Sequence, residues 1–98
     1  MKIVAVTACP TGIAHTYMAA EQLTVTAKKL GIDIKVETQG AMGVENEITE
    51  EDLKEAKWVI LAADIAIQDR ERFKDINVIE SSVQEAIKDP MRLFKKIQ

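Results

Sequence analysis

Residues 2–23 read "KIVAVTACPTGIAHTYMAAEQL", and this stretch decides the fold class. Its first part, residues 2–8, is rich in β-branched and small apolar residues, which is typical of a buried strand. Residues 14–30 carry apolar side chains at helical spacing, and Gly31 follows where a C-terminal helix cap is expected. A strand that passes through a short turn into a helix predicts the first unit of a parallel sheet covered by helices.

The rest of the chain continues the alternation of strands and helices. Three further strands are predicted, at 32–38, 58–63 and 77–80. Residues 39–47, "QGAMGVENE", contain two glycines and are predicted to be a loop. Polar residues that cap helices mark the remaining helix starts. These are Thr49 with Asp52 for a helix to Ala56, Ser81 or Ser82 for a helix to Lys88, and Asp89 with Pro90 for a last helix that ends near Ile97.

These elements predict a single α/β domain over residues 1–98. Its four-stranded parallel sheet has the order 2-1-3-4, with helices on both faces in a flavodoxin-like three-layer sandwich. In such a sheet, ligands bind beyond the carboxyl ends of the strands, at the point where the strand order reverses. The turn that follows the first strand, residues 9–16, is predicted to lie at that point.

The composition is that of an ordinary globular domain. The 98 residues are 47% hydrophobic and 30% charged, with a formal net charge of −3 at pH 7, which argues against a nucleic-acid partner. A single cysteine cannot form an internal disulfide, so the fold does not depend on an oxidising compartment. The longest apolar run, residues 58–63, is too short to span a bilayer, and the N-terminus has no signal-peptide stretch. We therefore expect a cytoplasmic chain without direct membrane insertion.

The only cysteine and the only histidine of the chain both lie in residues 7–16, "TACPTGIAHT". Backbone N–H groups at the start of a helix, together with the positive end of the helix dipole, favour an anion in this turn. The same field favours the thiolate of Cys9, which would then be a nucleophile beside an anion site. Gly12 allows the backbone to approach a ligand closely, and the hydroxyls of Thr11 and Thr16 can donate to phosphate oxygens.

Each of these residues also has a purely structural interpretation. A lone cysteine is more often a small buried apolar residue, although the position of Cys9 favours the nucleophile. His15 is either a surface residue of the first helical turn or, when uncharged, a hydrogen-bond donor to the anion. Pro10 and Gly12 suit a tight turn in either case. One cysteine and one histidine are too few for a zinc site, and we expect no metal and no other cofactor.

Residues 2–23 resemble the start of the fructose-type EIIB domain of the bacterial phosphoenolpyruvate-dependent sugar phosphotransferase system (PTS). The resemblance continues through "IKVETQGAMGVEN", "VILAADIAI" and "SVQEAIKDP", and so covers nearly the whole chain. It implies that Cys9 accepts a phosphoryl group from a phosphohistidine of the EIIA partner. It further implies that Cys9 gives this group to a sugar, usually fructose, bound by the membrane partner EIIC. The implied phosphate-binding loop consists of Pro10, Thr11, Gly12, Ile13, Ala14, His15 and Thr16.

The sheet order indicates where such partners would dock. Gln39 and Gly40 follow the second strand on the same sheet edge as the turn, so we expect them, together with Asp64, to contribute to a docking face. Asp64 follows the third strand near the turn, where its charge would oppose a phosphate, and we expect it to turn away and cap the following turn. The chain contains no EIIA or EIIC segment. We expect either a free-standing EIIB component or a domain of a longer polypeptide, which associates with the inner membrane through EIIC.

Three other functions remain open. Cys9 and His15, separated by five residues and followed by Thr16, resemble the loop of low-molecular-weight cysteine phosphatases on a similar sheet. That loop requires an arginine to hold two phosphate oxygens, and histidine cannot provide the same geometry. A thiol redox protein would need a second cysteine where Thr11 and Gly12 stand. A non-catalytic anion-binding module differs from the carrier in that its cysteine is never covalently modified.

Overall fold

The computed structural model describes residues 1–10, 13–41 and 43–97, and for Ile13 its backbone only. Within these residues the strands are β1 (Lys2–Ala8), β2 (Asp33–Gly40), β3 (Gly43–Glu45), β4 (Trp58–Ala63) and β5 (Asn77–Ser81). The α-helices are α1 (Ile13–Lys29), α2 (Glu50–Glu55), α3 (Val83–Lys88) and α4 (Pro90–Phe94). A 3-10 helix, Arg70–Phe73, lies between β4 and β5.

The strands of the described residues form one sheet in the order β3-β2-β1-β4-β5. Strands β1, β2, β4 and β5 run parallel, in the relative order that the sequence predicts. The predicted number of four strands was wrong, because β3 adds a fifth strand that runs antiparallel to β2. The predicted fold class, an α/β sheet with helices on both faces, is confirmed.

Strand β3 lies in the stretch that was predicted to be a loop. It pairs Gly43 with Gly40, and all three of its residues are exposed. Gly43 has φ +88°, a conformation that residues with a side chain rarely adopt. Asn46 follows the strand with φ +55° and donates its side-chain amide to the Val36 carbonyl at 2.8 Å. A three-residue strand without buried side chains has no hydrophobic pattern from which the sequence could reveal it.

The alternating side chains of β1 divide the core between the two faces of the sheet. Ile3 and Ala5 pack against α1, α3 and α4. Val4 and Val6 point to the other face, where they pack with Phe73 of the 3-10 helix and with the flanks of α2. All four strand residues are fully buried, so β1 is a central strand of a three-layer structure. This packing fixes the position of the carboxyl end of β1.

The end of α1 confirms the predicted cap at Gly31. Gly31 has φ +70°, and its N–H donates to the Lys28 carbonyl at 3.2 Å. The Ile32 N–H donates to the Ala27 carbonyl at 2.9 Å. Together these bonds form a Schellman motif, which satisfies carbonyls that have no partner within the helix. The motif ends α1 and turns the chain into β2.

The predicted cap of α2 is confirmed as a capping box that also joins the helix to the sheet. The Thr49 hydroxyl accepts from the Asp52 N–H, and the Asp52 carboxylate accepts from the Thr49 N–H at 2.9 Å. The same carboxylate binds the ammonium groups of Lys2 in β1 and Lys35 in β2, each at 2.9 Å. The Thr49 N–H and then the two lysines hold the pKa of Asp52 well below its usual range.

Asp52→Asn is expected to make the free energy of unfolding depend less steeply on pH at acid pH. A carboxyl whose pKa is lowered by folding contributes stability above the pKa of the unfolded chain, about 4, and this contribution is lost as the pH falls toward the folded-state pKa. The wild-type chain should therefore lose stability below about pH 4 more steeply than the variant. At pH 7 the substitution should lower the free energy of unfolding by about 1–2 kcal/mol. Urea unfolding at a series of pH values measures both effects.

Glu51→Gln is the matched control for this prediction. Glu51 lies in the same first turn of α2 but is exposed, so its removal should leave this pH dependence almost unchanged. If the free energy of unfolding fell equally steeply with decreasing pH in the wild-type chain and in Asp52→Asn, the role of Asp52 would be contradicted.

The last two helices confirm one predicted cap and contradict another. Ser82 caps α3, since its hydroxyl accepts from a backbone N–H of the first turn at 3.0 Å. Asp89 makes no side-chain cap for α4, so its predicted role was wrong. Its backbone, with φ −146° and ψ 64°, departs from the extended conformation of a capping residue. Pro90 does begin α4, which ends at Phe94 rather than near Ile97, because the N–H groups of Lys96 and Ile97 bond to carbonyls only three residues back.

Candidate functional site

Cys9 directly follows β1 at the carboxyl edge of the sheet. The last residue of β1, Ala8, lies between Gln39 of β2 and Ala63 of β4. The Asp64 N–H donates to the Ala8 carbonyl at 3.0 Å, which brings the chain after β4 to the same place. The chain passes from β1 to β2 on one side and later to β4 on the other, so the strand order reverses here. Cys9 therefore stands where ligands bind in sheets of this kind.

The surroundings of Cys9 favour an anion. The Cys9 side chain is 9% exposed and belongs to the core layer that contains α1. Helix α1 begins four residues later, at Ile13, and has no acidic residue in its first turn. A helix of 17 residues presents unpaired N–H groups and the positive end of its dipole at this end. Both would attract a negatively charged group carried by the cysteine.

Thr16 places a buried polar group in the first turn of α1. The residue is 3% exposed, and among the described residues its hydroxyl has no hydrogen-bond partner. Its carbonyl accepts from the Thr7 hydroxyl at 3.2 Å, which ties the first turn of α1 to β1. An unpaired buried hydroxyl destabilises a protein unless a ligand or water pairs with it. The Thr16 hydroxyl is therefore available to donate to an anion.

The other residues of the predicted loop are described to different extents. The exposed residues among them are Pro10, Ala14 and His15. The residues that lie outside the described part of the chain are Thr11 and Gly12. Exposure leaves the His15 imidazole accessible to a ligand or a partner protein.

Asp64 lies next to the turn, but it does not cap the turn that follows it. Its carboxylate accepts from the Val83 N–H at 3.1 Å, at the first residue of α3. The prediction that Asp64 caps the following turn was therefore wrong, because its hydrogen-bond partner is the Val83 N–H. N–H groups at the start of a helix have no partner within the helix, and a carboxylate satisfies them well. Asp64 thereby joins the end of β4 to α3.

The three predicted docking residues differ in exposure, and Asp64 is exposed. Gly40 is exposed at the end of β2, whereas the Gln39 residue is only 5% exposed. Gln39 accepts through Oε1 from the Gln68 N–H at 2.8 Å and donates through Nε2 to Glu37 at 2.7 Å. A docking role for Gln39 stays a prediction, and with this burial it would act through the backbone of Gln68.

Comparison with known proteins identifies the family. The family model described as "PTS system, Lactose/Cellobiose specific IIB subunit" matches residues 4–96. The chain belongs to the PTS IIB family. The "PTS system fructose-like EIIB component 2" of Escherichia coli K12 is 50% identical over 97 residues, which are 99% of this chain and 92% of that protein. The "PTS system fructose-specific EIIABC component" of Bacillus subtilis is 47% identical over 95 residues, which are 97% of this chain and 15% of that protein.

Solved structures agree with this assignment to EIIB. A domain of a fructose-specific IIABC component from Borrelia burgdorferi has a TM-score of 0.92 at 50% identity, covering 97% of this chain and 90% of that domain. A predicted fructose-specific IIB from Escherichia coli has a TM-score of 0.93 at 38% identity, covering 98% of this chain and 85% of the other. The resemblance to fructose-type EIIB is confirmed, and this chain is a phosphotransferase component of a fructose-like PTS.

A buried ion pair joins β2 of this EIIB chain to the 3-10 helix, and the sequence did not predict it. Glu37 is fully buried, and its carboxylate accepts from both terminal nitrogens of Arg72, at 2.9 and 2.6 Å. Burial alone would raise the pKa of Glu37, but Arg72, Gln39 and the Ile48 N–H together lower it. The two charges lie 35 residues apart in the chain. Their opposite sign was therefore the only feature of the sequence that could have indicated that they pair.

Exposed apolar side chains flank the carboxyl edge of this EIIB sheet. Tyr17 of α1 is 41% exposed and donates its phenolic hydrogen to Glu45 of β3, a hydrogen bond that raises the pKa of Tyr17. Val44 of β3 and Ile65, after β4, are also large and exposed. Large exposed apolar side chains near a reactive group favour contact with another protein.

Across residues 1–10, 13–41 and 43–97, no group of three or more His, Cys, Asp or Glu side chains could hold a metal ion. No helix of that part is both long enough and apolar enough to cross a membrane.

Proposed function

We propose that this chain is a phosphoryl carrier that works through Cys9. Cys9 accepts a phosphoryl group from a phosphohistidine of an EIIA protein or domain and passes it to a sugar, with fructose as the first candidate, at a membrane EIIC partner. The position of Cys9, directly after β1 and before a helix without acidic residues in its first turn, carries the proposal. The letters A and C in the name of the Bacillus subtilis EIIABC relative support the two partners.

The proposed reaction has two steps. The Cys9 thiolate attacks phosphorus in line with the bond to the histidine nitrogen. The P–N bond breaks as the S–P bond forms, and the imidazole leaves with the electron pair and takes up a proton. A sugar hydroxyl oxygen then attacks the same phosphorus, loses its proton to water or to a base of the partner, and releases Cys9 as a thiolate. Both steps depend on positioning and charge stabilisation.

Residues 10–16 would hold the transferred phosphoryl group. A phosphocysteine carries about two negative charges near neutral pH, by analogy with other phosphorylated side chains. The N–H groups at the start of α1 and the Thr16 hydroxyl, which has no partner among the described residues, would donate to its oxygens. Exposed Tyr17, Val44 and Ile65 would contact the partner protein around the cysteine.

The proposal is tested by incubating the chain with phosphoenolpyruvate, the general phosphotransfer proteins and a fructose-type EIIA. The product is then examined by intact mass measurement and phosphorus NMR. One added phosphoryl group with a thiophosphate resonance would support the carrier function. Hydrolysis of an aryl phosphate without an EIIA-dependent adduct would favour the phosphatase instead. Bound phosphate with an unmodified Cys9 would favour a non-catalytic anion-binding module.

Thr16→Val is expected to slow phosphoryl transfer without destabilising the unphosphorylated chain. The Thr16 hydroxyl has no partner in the described structure, so a methyl group in its place should change the free energy of unfolding by less than about 1 kcal/mol. In the phosphorylated chain the same change removes a donor to a charged oxygen, and transfer from EIIA should slow about tenfold. Rapid-quench measurement of the adduct and urea unfolding give the two quantities.

Thr24→Val is the matched control for Thr16→Val. Thr24 lies two turns further along α1, and its hydroxyl donates to the Ala20 carbonyl at 2.8 Å. This variant should transfer at the wild-type rate. Equal transfer rates in Thr16→Val and wild type would show that the Thr16 hydroxyl does not bind the phosphoryl group.

A further inference from the structure

The segment 64–69, which joins β4 to the 3-10 helix, runs across the carboxyl end of β1. It begins at β4, where the Asp64 N–H donates to the Ala8 carbonyl at 3.0 Å. It reaches the far side of β1 at Gln68, whose N–H donates to Gln39 of β2 at 2.8 Å. Ala8 lies between β4 and Gln39, and Cys9 follows it directly. The segment therefore lies beside Cys9.

Buried charge fixes the orientation of the Gln39 side chain. Its Nε2 donates to the Glu37 carboxylate at 2.7 Å, and only the nitrogen of the amide can do so. The carbonyl oxygen must then face the Gln68 N–H. Glu37 itself is held by both terminal nitrogens of Arg72, which belongs to the 3-10 helix that follows the segment. Both Gln39 and Glu37 are at least 95% buried, so solvent does not compete for these bonds.

We infer that Gln39 is a positioning residue, which holds the segment 64–69 in place as one wall of the face on which EIIA docks. This inference rests on the proposed function. The segment is exposed at residues 64–66, where it follows the bond to Ala8 and includes Ile65, which is 43% exposed. A donor protein that brings a phosphohistidine to Cys9 approaches the same edge of the sheet, because the segment starts at the bond to Ala8. Gln39 touches neither the phosphoryl group nor the donor, and it acts through the backbone of Gln68.

Gln39→Met tests the inference, because methionine keeps the length and approximate volume of the side chain and removes its hydrogen bonds. Initial rates of phosphoryl transfer are measured against the concentration of phosphorylated EIIA. We expect KM for phosphorylated EIIA to rise about five- to tenfold, as for the loss of one buried hydrogen bond. We expect kcat to stay within about twofold, because Cys9 and the start of α1 are unchanged.

Asp52→Asn is the control for a general loss of stability. Asp52 binds Lys2 and Lys35 near the amino ends of β1 and β2, away from Cys9. This variant should keep the wild-type KM even if it unfolds more easily than Gln39→Met.

A second measurement uses the wild-type chain and does not depend on the stability of a variant. Unphosphorylated EIIA is added to the isotopically labelled chain, and the backbone amide resonances are followed by NMR. The amides of residues 64–68 should shift on binding, together with those at the start of α1. No shift in residues 64–68 would overturn the inference, as would a wild-type KM in a folded Gln39→Met chain. By contrast, a wild-type chain that never acquires a phosphoryl group would overturn the proposed function itself.

Discussion

Cys9→Ser is expected to form no phosphoryl adduct under conditions in which the wild-type chain is fully phosphorylated. A serine hydroxyl is a weak nucleophile without an adjacent base, whereas sulfur in a cysteine thiolate is intrinsically a strong one. The rate of acceptance from EIIA should fall by on the order of a thousandfold or more. The fold should survive, since one hydroxyl in place of the nearly buried thiol costs about 1–2 kcal/mol. Intact mass and urea unfolding measure the two results.

Cys9→Ala separates loss of the nucleophile from any residual reaction of serine. It removes every nucleophilic atom from the side chain and should give the same result as Cys9→Ser in the mass measurement. An adduct of wild-type stoichiometry on the alanine variant would place the phosphoryl group on another residue, and the assignment of Cys9 would be wrong.

Arg72→Met is expected to be the most destabilising of the substitutions considered for this chain. It leaves the fully buried Glu37 carboxylate without its cation, and such a change typically lowers the free energy of unfolding by about 3–5 kcal/mol. Burial then raises the pKa of Glu37 above that in the unfolded chain. The loss should therefore be smaller at a pH low enough to protonate Glu37. Urea unfolding at pH 7 and at about pH 5 measures both effects.

Arg70→Met is the matched control, because Arg70 belongs to the same 3-10 helix but forms an exposed pair with Glu80 at 3.1 Å. Its side chain is 52% exposed, so the expected loss is below about 1 kcal/mol. A double variant, Glu37→Gln with Arg72→Met, removes both charges and should recover more than half of the loss. Equal losses for Arg72→Met and Arg70→Met would contradict the role of the buried pair.

Most of the fold followed from local patterns that the sequence contains. β1 and β4 have the predicted limits, Lys2–Ala8 and Trp58–Ala63, because both are short apolar runs buried on two faces. Gly31 and Thr49 ended and began their helices as predicted, since caps depend on neighbouring residues only. β3 could not be predicted in this way. It exists because β2 offers an edge with which three exposed residues can pair.

In the candidate site too, the features that depend on neighbouring residues were predicted, and those that depend on distant residues were not. Cys9 and the start of α1 adjoin in the chain, so the sequence alone placed a nucleophile beside a helix N-terminus. Asp64 was expected to cap the turn that follows it, but it binds the start of α3, 19 residues away. Gln39 was expected at a docking face and is buried, because the chain after β4 returns across β1 to reach it.

The sequence by itself determined the strand, turn and helix that carry Cys9, because each depends on residues within about one turn of each other. Only the tertiary structure decided how the polar face of β2 is used. The alternation of "IDIKVET" predicted a half-covered strand, yet Lys35 pairs with Asp52 and Glu37 with Arg72, 17 and 35 residues away. Burial makes these distant charges pair, because a buried carboxylate without a partner is too costly to keep.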